Sequence, residues 1–311
     1  MADDPIAIFA PALVLHVEVE TDAIGLVEAH VHAGGQGYWV ARMAAALGAT
    51  PTLCAPIGGE TGTVVKDILL REGVALRSVP GKADNALYVH DRRPGDRQEL
   101  LELDPQPLGR HQLDQLYSVT LAAAMEAGVC VVAGSQNATV VAADTYGRLV
   151  ADLVECDVRV VVDLAGEPLR PALSGFPDVL KISDQELLDD GWARDESPAE
   201  LARAITELQE AGARDVVVSR GANPSLASVD NELVEVVAPR MHEVDHRGAG
   251  DSMTAGPAVC IARGKSLREE GLAVAAAAGA MNVTRHGLAS GHADTIEQLA
   301  QRVQIRPVRW R

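Results

Sequence analysis

An α/β fold with a mostly parallel central sheet is the expectation from the order of apolar runs along the chain. Between about residues 34 and 221, short β-branched runs alternate with longer Ala- and Leu-rich runs at helical spacing, the mark of βαβ units. Two stretches break the alternation. "ALVLHVEVE" near the start alternates apolar and polar residues with period two, and "ALYVHDRRPGDRQELLELD" has two extended runs flanking Arg93-Pro94-Gly95-Asp96, a hairpin spelling. Both read as antiparallel strands outside the main sheet, a small β-sheet lid contributed by about 11–35 and 84–104.

Within the alternating region, "PTLCAPI", "VCVVAG", "VRVVVDLA", "DVLKIS" and "DVVVSRG" are short and rich in β-branched residues and read as strands. Helical spacing begins near Gly37, Glu60, Leu113, Thr139, Asp184 and Pro198. "PSLASVDNELVEVV" is a second hairpin turning at Asp230-Asn231, and long Ala-rich helices are expected from Gly250 to the end. Helices on both faces of a parallel sheet leave the carboxyl ends of the strands for ligands. The 311 residues are read as one domain, 1–311, without repeat or low-complexity linker.

Composition narrows the partners. Hydrophobic residues make up 47% and aromatics only 3%, so the core is built from Ala, Val and Leu, which suits close helix-on-sheet packing. A formal charge of -17 repels phosphate backbones, which argues against nucleic acid. Cys54, Cys130, Cys156 and Cys260 show no C-x-x-C spacing, and the N-terminus carries acids where a signal peptide carries bases. No apolar run approaches the ~18 residues of a spanning helix. These features point to a cytoplasmic chain, outside the membrane, that meets a small metabolite.

The stretch "MHEVDHRGAGDSMTAG" (241–256) spells two incompatible sites. His242-Glu243-Val244-Asp245-His246 is the H-E-x-x-H of a zinc peptidase, which needs a helix to bring both histidines to one ion. Pro239, Val244 and the Gly248-Ala249-Gly250 run leave little support for a helix there. On an extended segment the two rings stand ~13 Å apart, too far for one zinc. Gly264-Lys265-Ser266 is a P-loop ending without its first glycine, since Val259 stands there, and Met253 spoils a G-x-G-x-x-G.

The glycine turn survives. Gly248-Ala249-Gly250 precedes the apolar helical run "DSMTAGPAVCIARG", so three consecutive amides should face outward at a helix N-terminus, where the macrodipole favours an anion. Asp251 falls in the first turn, within reach of a hydroxyl attacking a phosphoryl group held there. These four residues alone fit two readings, an anion hole with its base or a plain N-terminal cap.

Residues 245–256 resemble the late signature D-T-x-G-A-G-D-x-F-x-A-G of the ribokinase-like (PfkB) carbohydrate kinases, and the "GAGDSM" form resembles the 1-phosphofructokinase and tagatose-6-phosphate kinase branch. Gly34-Gly35-Gln36-Gly37-Tyr38-Trp39-Val40-Ala41 resembles G-G-K-G-x-N-x-A. "DVLKISDQELL" resembles K-P-N-x-x-E-L, and "VVVSRGANPSLA" resembles V-T-L-G-x-x-G-A. The resemblance runs in matching order from about residue 6 to 300. It implies a ribokinase-like three-layer αβα sandwich with a β lid, and an ATP-dependent phosphotransferase acting on an alcohol. It implies Asp251 as general base and the amides of Gly248, Ala249 and Gly250 on the phosphoryl group in flight. Glu186 would organise Mg²⁺ through water, with Lys181 and Ser183 on the phosphates, and Ser219, Gly221 and Asn282 would border the nucleotide. Pairing of lids into a homodimer is a further implication.

The resemblance breaks on the acceptor side. The opening N-P-A-L-D stands as Ala10-Pro11-Ala12-Leu13-Val14, Gln36 replaces the lysine of G-G-K-G, and Trp39 replaces its asparagine. "GKADNALYV" lacks the T-R arginine. Val14, Gly34, Gly35, Gln36 and Trp39 are therefore expected around an acceptor that is less polar than an ordinary sugar phosphate or bears an aromatic group, because unpaired hydroxyls cost ~1 to 3 kcal/mol each. Arg247, beside the anion hole, is expected to restore one positive charge toward nucleotide or substrate, and His246 to contact one of them.

Overall fold

A computed structural model describes residues 4–308, except 23, 94, 96, 136, 138, 286 and 287. The chain runs β1 (Pro5–Phe9), β2 (Val14–Thr21), β3 (Val27–Gly34), α1 (Gln36–Ala46), β4 (Thr50–Ile57), α2 (Gly59–Arg71), β5 (Ala75–Pro80), β6 (Ala86–Asp91) and β7 (Gln98–Leu103). It continues α3 (Arg110–Ala127), β8 (Val129–Ala133), α4 (Ala143–Glu155), β9 (Arg159–Asp163), α5 (Leu169–Leu173), β10 (Val179–Ser183), α6 (Asp184–Asp189) and α7 (Pro198–Glu210). It closes with β11 (Asp215–Arg220), β12 (Asn223–Val229), β13 (Glu232–Val237), α8 (Ala249–Ala262), a π-helical turn (Leu267–Gly271), α9 (Leu272–Asn282), α10 (Ala293–Ala300) and β14 (Gln304–Pro307).

The large sheet has the order β14-β13-β12-β11-β10-β9-β8-β1-β4-β5, parallel from β11 through β5 and antiparallel from β12 to β14. Its strands are buried on both faces, and period two divides their side chains between two cores. Ile6 and Ile8 of β1 join the core under α1, α8 and α9, whereas Ala7 and Phe9 join the core under α3, α4 and α7. The Asp230-Asn231 turn forms as expected, both residues at positive φ (54° and 61°), the conformation that twists a two-residue hairpin correctly. The end of the chain departs from the all-helical expectation, because Gln304–Pro307 pairs with the open edge of β13. A run this short and polar has no periodicity of its own and takes its strand form from that edge.

The smaller sheet has the order β3-β2-β6-β7, with β2 and β6 parallel. It is the expected second sheet; Pro94 and Asp96 of its hairpin turn lie outside the described residues. Register places His32, His16, Tyr88 and Glu102 in one row across its four strands, and Val31, Val17, Val89 and Leu101 in the next row, on the opposite face.

Two close approaches position the helices that carry the site. Gly35, at φ 105°, lets α1 start beside the end of β1, where a Cβ would stand 2.5 Å from the Ala12 carbonyl oxygen. Gly256 brings α8 against α9, where a Cβ would meet the Ala275 backbone at 2.6 Å. Gly35→Ala should therefore lower the unfolding free energy by about 2 kcal/mol or more in denaturant titration, since it adds a backbone clash to a strained φ. Gly73→Ala, at φ 71° in open space, should cost only ~1 kcal/mol.

Candidate active site

The segment before α8 is irregular, not helical, from Pro239 to Arg247, which removes the geometry a zinc peptidase requires. It is docked on the end of α9 by the amides of Val244 and Asp245, both bonded to the Val283 carbonyl. Gly248 then turns the chain at φ 72°, and α8 begins. This helix is apolar on nearly every side, Ser252 through Cys260 all being buried, so its N-terminus is fixed in the core beside the carboxyl ends of β9 and β10.

A cavity of about 740 Å³ opens at this point. Asp163, Glu186, Gly248 and Asp251 line its floor, and Gly35, Gln36 and Trp39 its α1 side. Val14, His16, Tyr88, Arg97 and Glu102 of the small sheet and Arg247 complete the roof. The position, outside the carboxyl ends of parallel strands on either side of β1, is where an open α/β sheet binds ligands.

Asp251 faces the cavity yet is packed among protein atoms and carboxylates. Burial first, then the charges of Asp163 and Glu186, outweigh Lys181 and push its carboxyl up to about 7. Lys181 lies almost wholly buried behind it, its Nζ 3.4 Å from Asp163 Oδ1. Burial would strip the ammonium of its proton, but Asp163, Glu186 and Asp251 hold it protonated. The ammonium occupies the space where a Cβ on Gly250 would stand, 2.7 Å from Nζ. The Thr254 hydroxyl donates to the other oxygen of Asp163.

Several expectations change at this level of detail. The Ala249 amide donates to His246 O at 3.2 Å, so it is not among the outward donors; the first-turn amides of Gly250 and Asp251, which have no preceding turn to bond, remain at the mouth. Asn282 does not line this cavity. It is fully buried, donating to Arg247 O at 2.6 Å and accepting from Ala289 N at 2.6 Å, and so holds the turn at Gly248. Gly34 does not line the cavity; a Cβ there would collide with the His16 ring, so it makes room for that ring. Ser219 and Gly221 sit at the end of β11, outside this cavity. Ser183 caps α6, its amide and hydroxyl each donating to Glu186 Oε2 at 2.7 Å.

Arg247 is not a free charge either. Its guanidinium pairs with Asp245, with Glu18 at 3.6 Å, and Arg92 bridges the same two carboxylates at 3.2 and 3.7 Å. Burial opposes the Asp245 charge, but these arginines hold the carboxyl down near 2. His246 points to solvent beside Glu243. Gln36 is turned inward, accepting from the Gly134 amide at 2.6 Å, while Val14 and Trp39 face the cavity.

Asp163, His16, Tyr88, Arg97 and Glu102 went unassigned in the sequence. Asp163 had a local signal, an acid ending a β-branched run at the ligand edge of the sheet. His16, Tyr88 and Glu102 are readable only once cross-strand register aligns them. His16 stacks on His32 at 5.1 Å and meets Tyr88 edge-on at 5.4 Å. Burial, then His32 and nearby arginines, lower its pKa to about 3, so the ring is neutral.

Residues 16–296 match the pfkB family carbohydrate kinase model. The chain belongs to that family. It is 28% identical over 269 residues to the ATP-dependent 6-phosphofructokinase isozyme 2 of Escherichia coli K12, covering 85% of this chain and 82% of that one. It is 30% identical over 224 residues to the 1-phosphofructokinase of Haloferax volcanii, covering 72% and 71%. The crystal structure of Escherichia coli phosphofructokinase-2 in complex with potassium superposes with a TM-score of 0.84 at 25% identity, covering 97% and 99%. The fold is accordingly ribokinase-like, as expected, and the chain is a carbohydrate kinase, a phosphotransferase with an alcohol acceptor.

Among the described residues no helix is long and apolar enough to cross a membrane. Nor do three side chains converge there into a metal-binding group. Glu186, with one oxygen unspent by its cap, suits a hydrated Mg²⁺, which retains waters and shares phosphate oxygens in preference to an all-protein cage.

Two outcomes follow from the floor. Gly250→Ala should displace the Lys181 ammonium and lower turnover by roughly 10²-fold, the effect of a ~1 Å misplacement, with the circular dichroism spectrum unchanged. The folded state keeps the Asp251 proton up to about pH 7, whereas an ordinary aspartate loses it near 3.8. The group thus opposes folding increasingly as pH rises through that window. Asp251→Asn should raise the melting temperature above wild type at pH 8, and by less at pH 5.

Proposed function

We propose that the protein transfers the γ-phosphoryl group of ATP to a hydroxyl of a small sugar or sugar-like acceptor. Asp251 carries the reading: a carboxyl near neutrality, at a helix mouth, on the floor of a cleft. It takes the hydroxyl proton as the acceptor oxygen attacks phosphorus and the bond to the leaving ADP breaks. The helix N-terminus at Gly248–Gly250 and the ammonium of Lys181 stabilise charge on the transferring group. Glu186 would hold Mg²⁺ through water, and the ion would supply charge neutralisation of the phosphates there. Ser219 and Gly221, beyond the floor at the end of β11, border the rest of the nucleotide in this reading.

The acceptor wall supports a substrate with an apolar or planar face. Val14 offers no partner to a hydroxyl, the Trp39 ring adds a planar face with a single N–H donor, and Gln36 spends its carbonyl on Gly134. A second reading, an ordinary hexose-phosphate kinase, is favoured by what the relatives are called. Turnover of fructose 6-phosphate, fructose 1-phosphate or tagatose 6-phosphate above all other acceptors would select it.

The small sheet also supports pairing of two copies. Its outer row is apolar, and Val31, Leu101 and Leu103 are 51%, 42% and 51% exposed beside two open edges. Light scattering should give the mass of a dimer, and Val31→Glu with Leu101→Glu that of a monomer.

Asp251→Asn should lower ADP production by about 10²- to 10⁴-fold across a panel of sugars, sugar phosphates, nucleosides and polyols. Wild-type kcat/KM should fall as pH drops through about 7, because protonation removes the base. Unchanged turnover in the variant contradicts the assignment.

A further inference from the structure

The cations in and behind the cavity wall are mostly spoken for. Lys181 is committed to Asp163, and Arg247 and Arg92 share Asp245 and Glu18. Arg97, at the end of the β6–β7 turn, differs. It lines the cavity, yet among the described residues it enters no ion pair. Its Nη2 instead rests against the edge of the His90 ring, 2.7 Å from Nε2 and 3.0 Å from Nδ1, and the same Nε2 lies 2.9 Å from Glu102.

This arrangement aims Arg97 without neutralising it. Glu18 and Glu102 act on it only from longer range, and burial and the charge of Arg247 weigh against it. A partly desolvated guanidinium whose nearest partner is a ring lacks the bidentate oxygens its fork fits best. His16 beside it is neutral and apt to donate a hydrogen bond, and among the described residues nothing else at the roof supplies an uncommitted cation. On a chain of charge -17, an anion entering this cavity needs such a local attractor.

We propose that Arg97 binds an anionic group of the acceptor, a phosphate or a carboxylate, at the roof of the cavity whose floor carries Asp251. The inference rests on the kinase reading for the word acceptor, and replaces Arg247 by Arg97 as the positive charge of the substrate site. The cation comes from a lid hairpin, so an acceptor with both an anionic and a hydroxyl end bridges lid and floor. Arg97 is then a specificity-determining residue, acting on which acceptor enters and not on the phosphoryl group.

Calorimetric binding to wild type, Arg97→Ala, Arg97→Lys and Asp251→Asn tests this, each with Mg²⁺ and a non-hydrolysable ATP analogue. The probes are fructose 6-phosphate, fructose 1-phosphate, gluconate and neutral fructose. At least one anionic probe should bind wild type and Asp251→Asn more than tenfold tighter than fructose. Arg97→Ala should weaken that probe by about 10- to 100-fold, the loss of one charge-assisted contact, and Arg97→Lys by less. In turnover the loss should fall on KM of the acceptor, with KM for ATP unchanged. Gluconate and the two phosphates separate carboxylate from phosphate recognition. Equal binding by Arg97→Ala and wild type, a loss confined to the ATP analogue, or no anionic probe bound more tightly than fructose overturns the proposal. Arg97-dependent binding with no turnover in wild type leaves the anion subsite standing and removes the kinase reading instead.

Discussion

A buried ammonium beneath a helix N-terminus is the constraint on which the site depends. Lys181 stands under Gly250, where the helix macrodipole opposes a cation, and is held there by Asp163. Glycine at 250 leaves the ammonium its place, where a Cβ would displace it, and a firmly packed helix keeps the distance. Helix α8 meets that demand by being apolar all round and closing on α9 at Gly256. Asp251 then projects from a fixed backbone into a place crowded with carboxylates. The fold thus fixes both where this carboxyl stands and how tightly it holds its proton.

The roof is built on the opposite principle. The small sheet turns its row of rings and Glu102 toward the cavity and its apolar row outward, inverting the usual amphipathic arrangement. Its attachment to the floor is ionic: Glu18 and Arg92 from the lid meet Asp245 and Arg247 from the turn before α8. These groups are partly buried and have several partners each, so the lid and the turn at Gly248 are held in one geometry.

What was legible in the sequence was what is local. The alternation of runs gave the parallel sheet and its helices, and the glycine turn followed by an apolar run placed Asp251 at a helix mouth. The strand context also disposed of His242 and His246 as a zinc pair. What could not be read comes from distant segments meeting. Asn282 looked like a polar spot near a ligand and is a buried clasp, because Arg247 and Ala289 arrive on either side of it. Arg247 looked like a free charge until Glu18 was brought from more than two hundred residues away. The Ala249 amide turned back on His246 through the detail of one turn, which residue types do not encode. Strand β14 exists only because β13 offers an edge.

The central claim is that Asp251 is poised near neutrality by its surroundings, and direct titration of that carboxyl tests it best. In protein carrying ¹³C-carboxyl aspartate, NMR spectra from pH 4 to 9 should contain a resonance that titrates near 7 and is missing from Asp251→Asn. The same resonance titrating near 4 would contradict the account, for the floor would then be an ordinary helix cap with an ordinary aspartate.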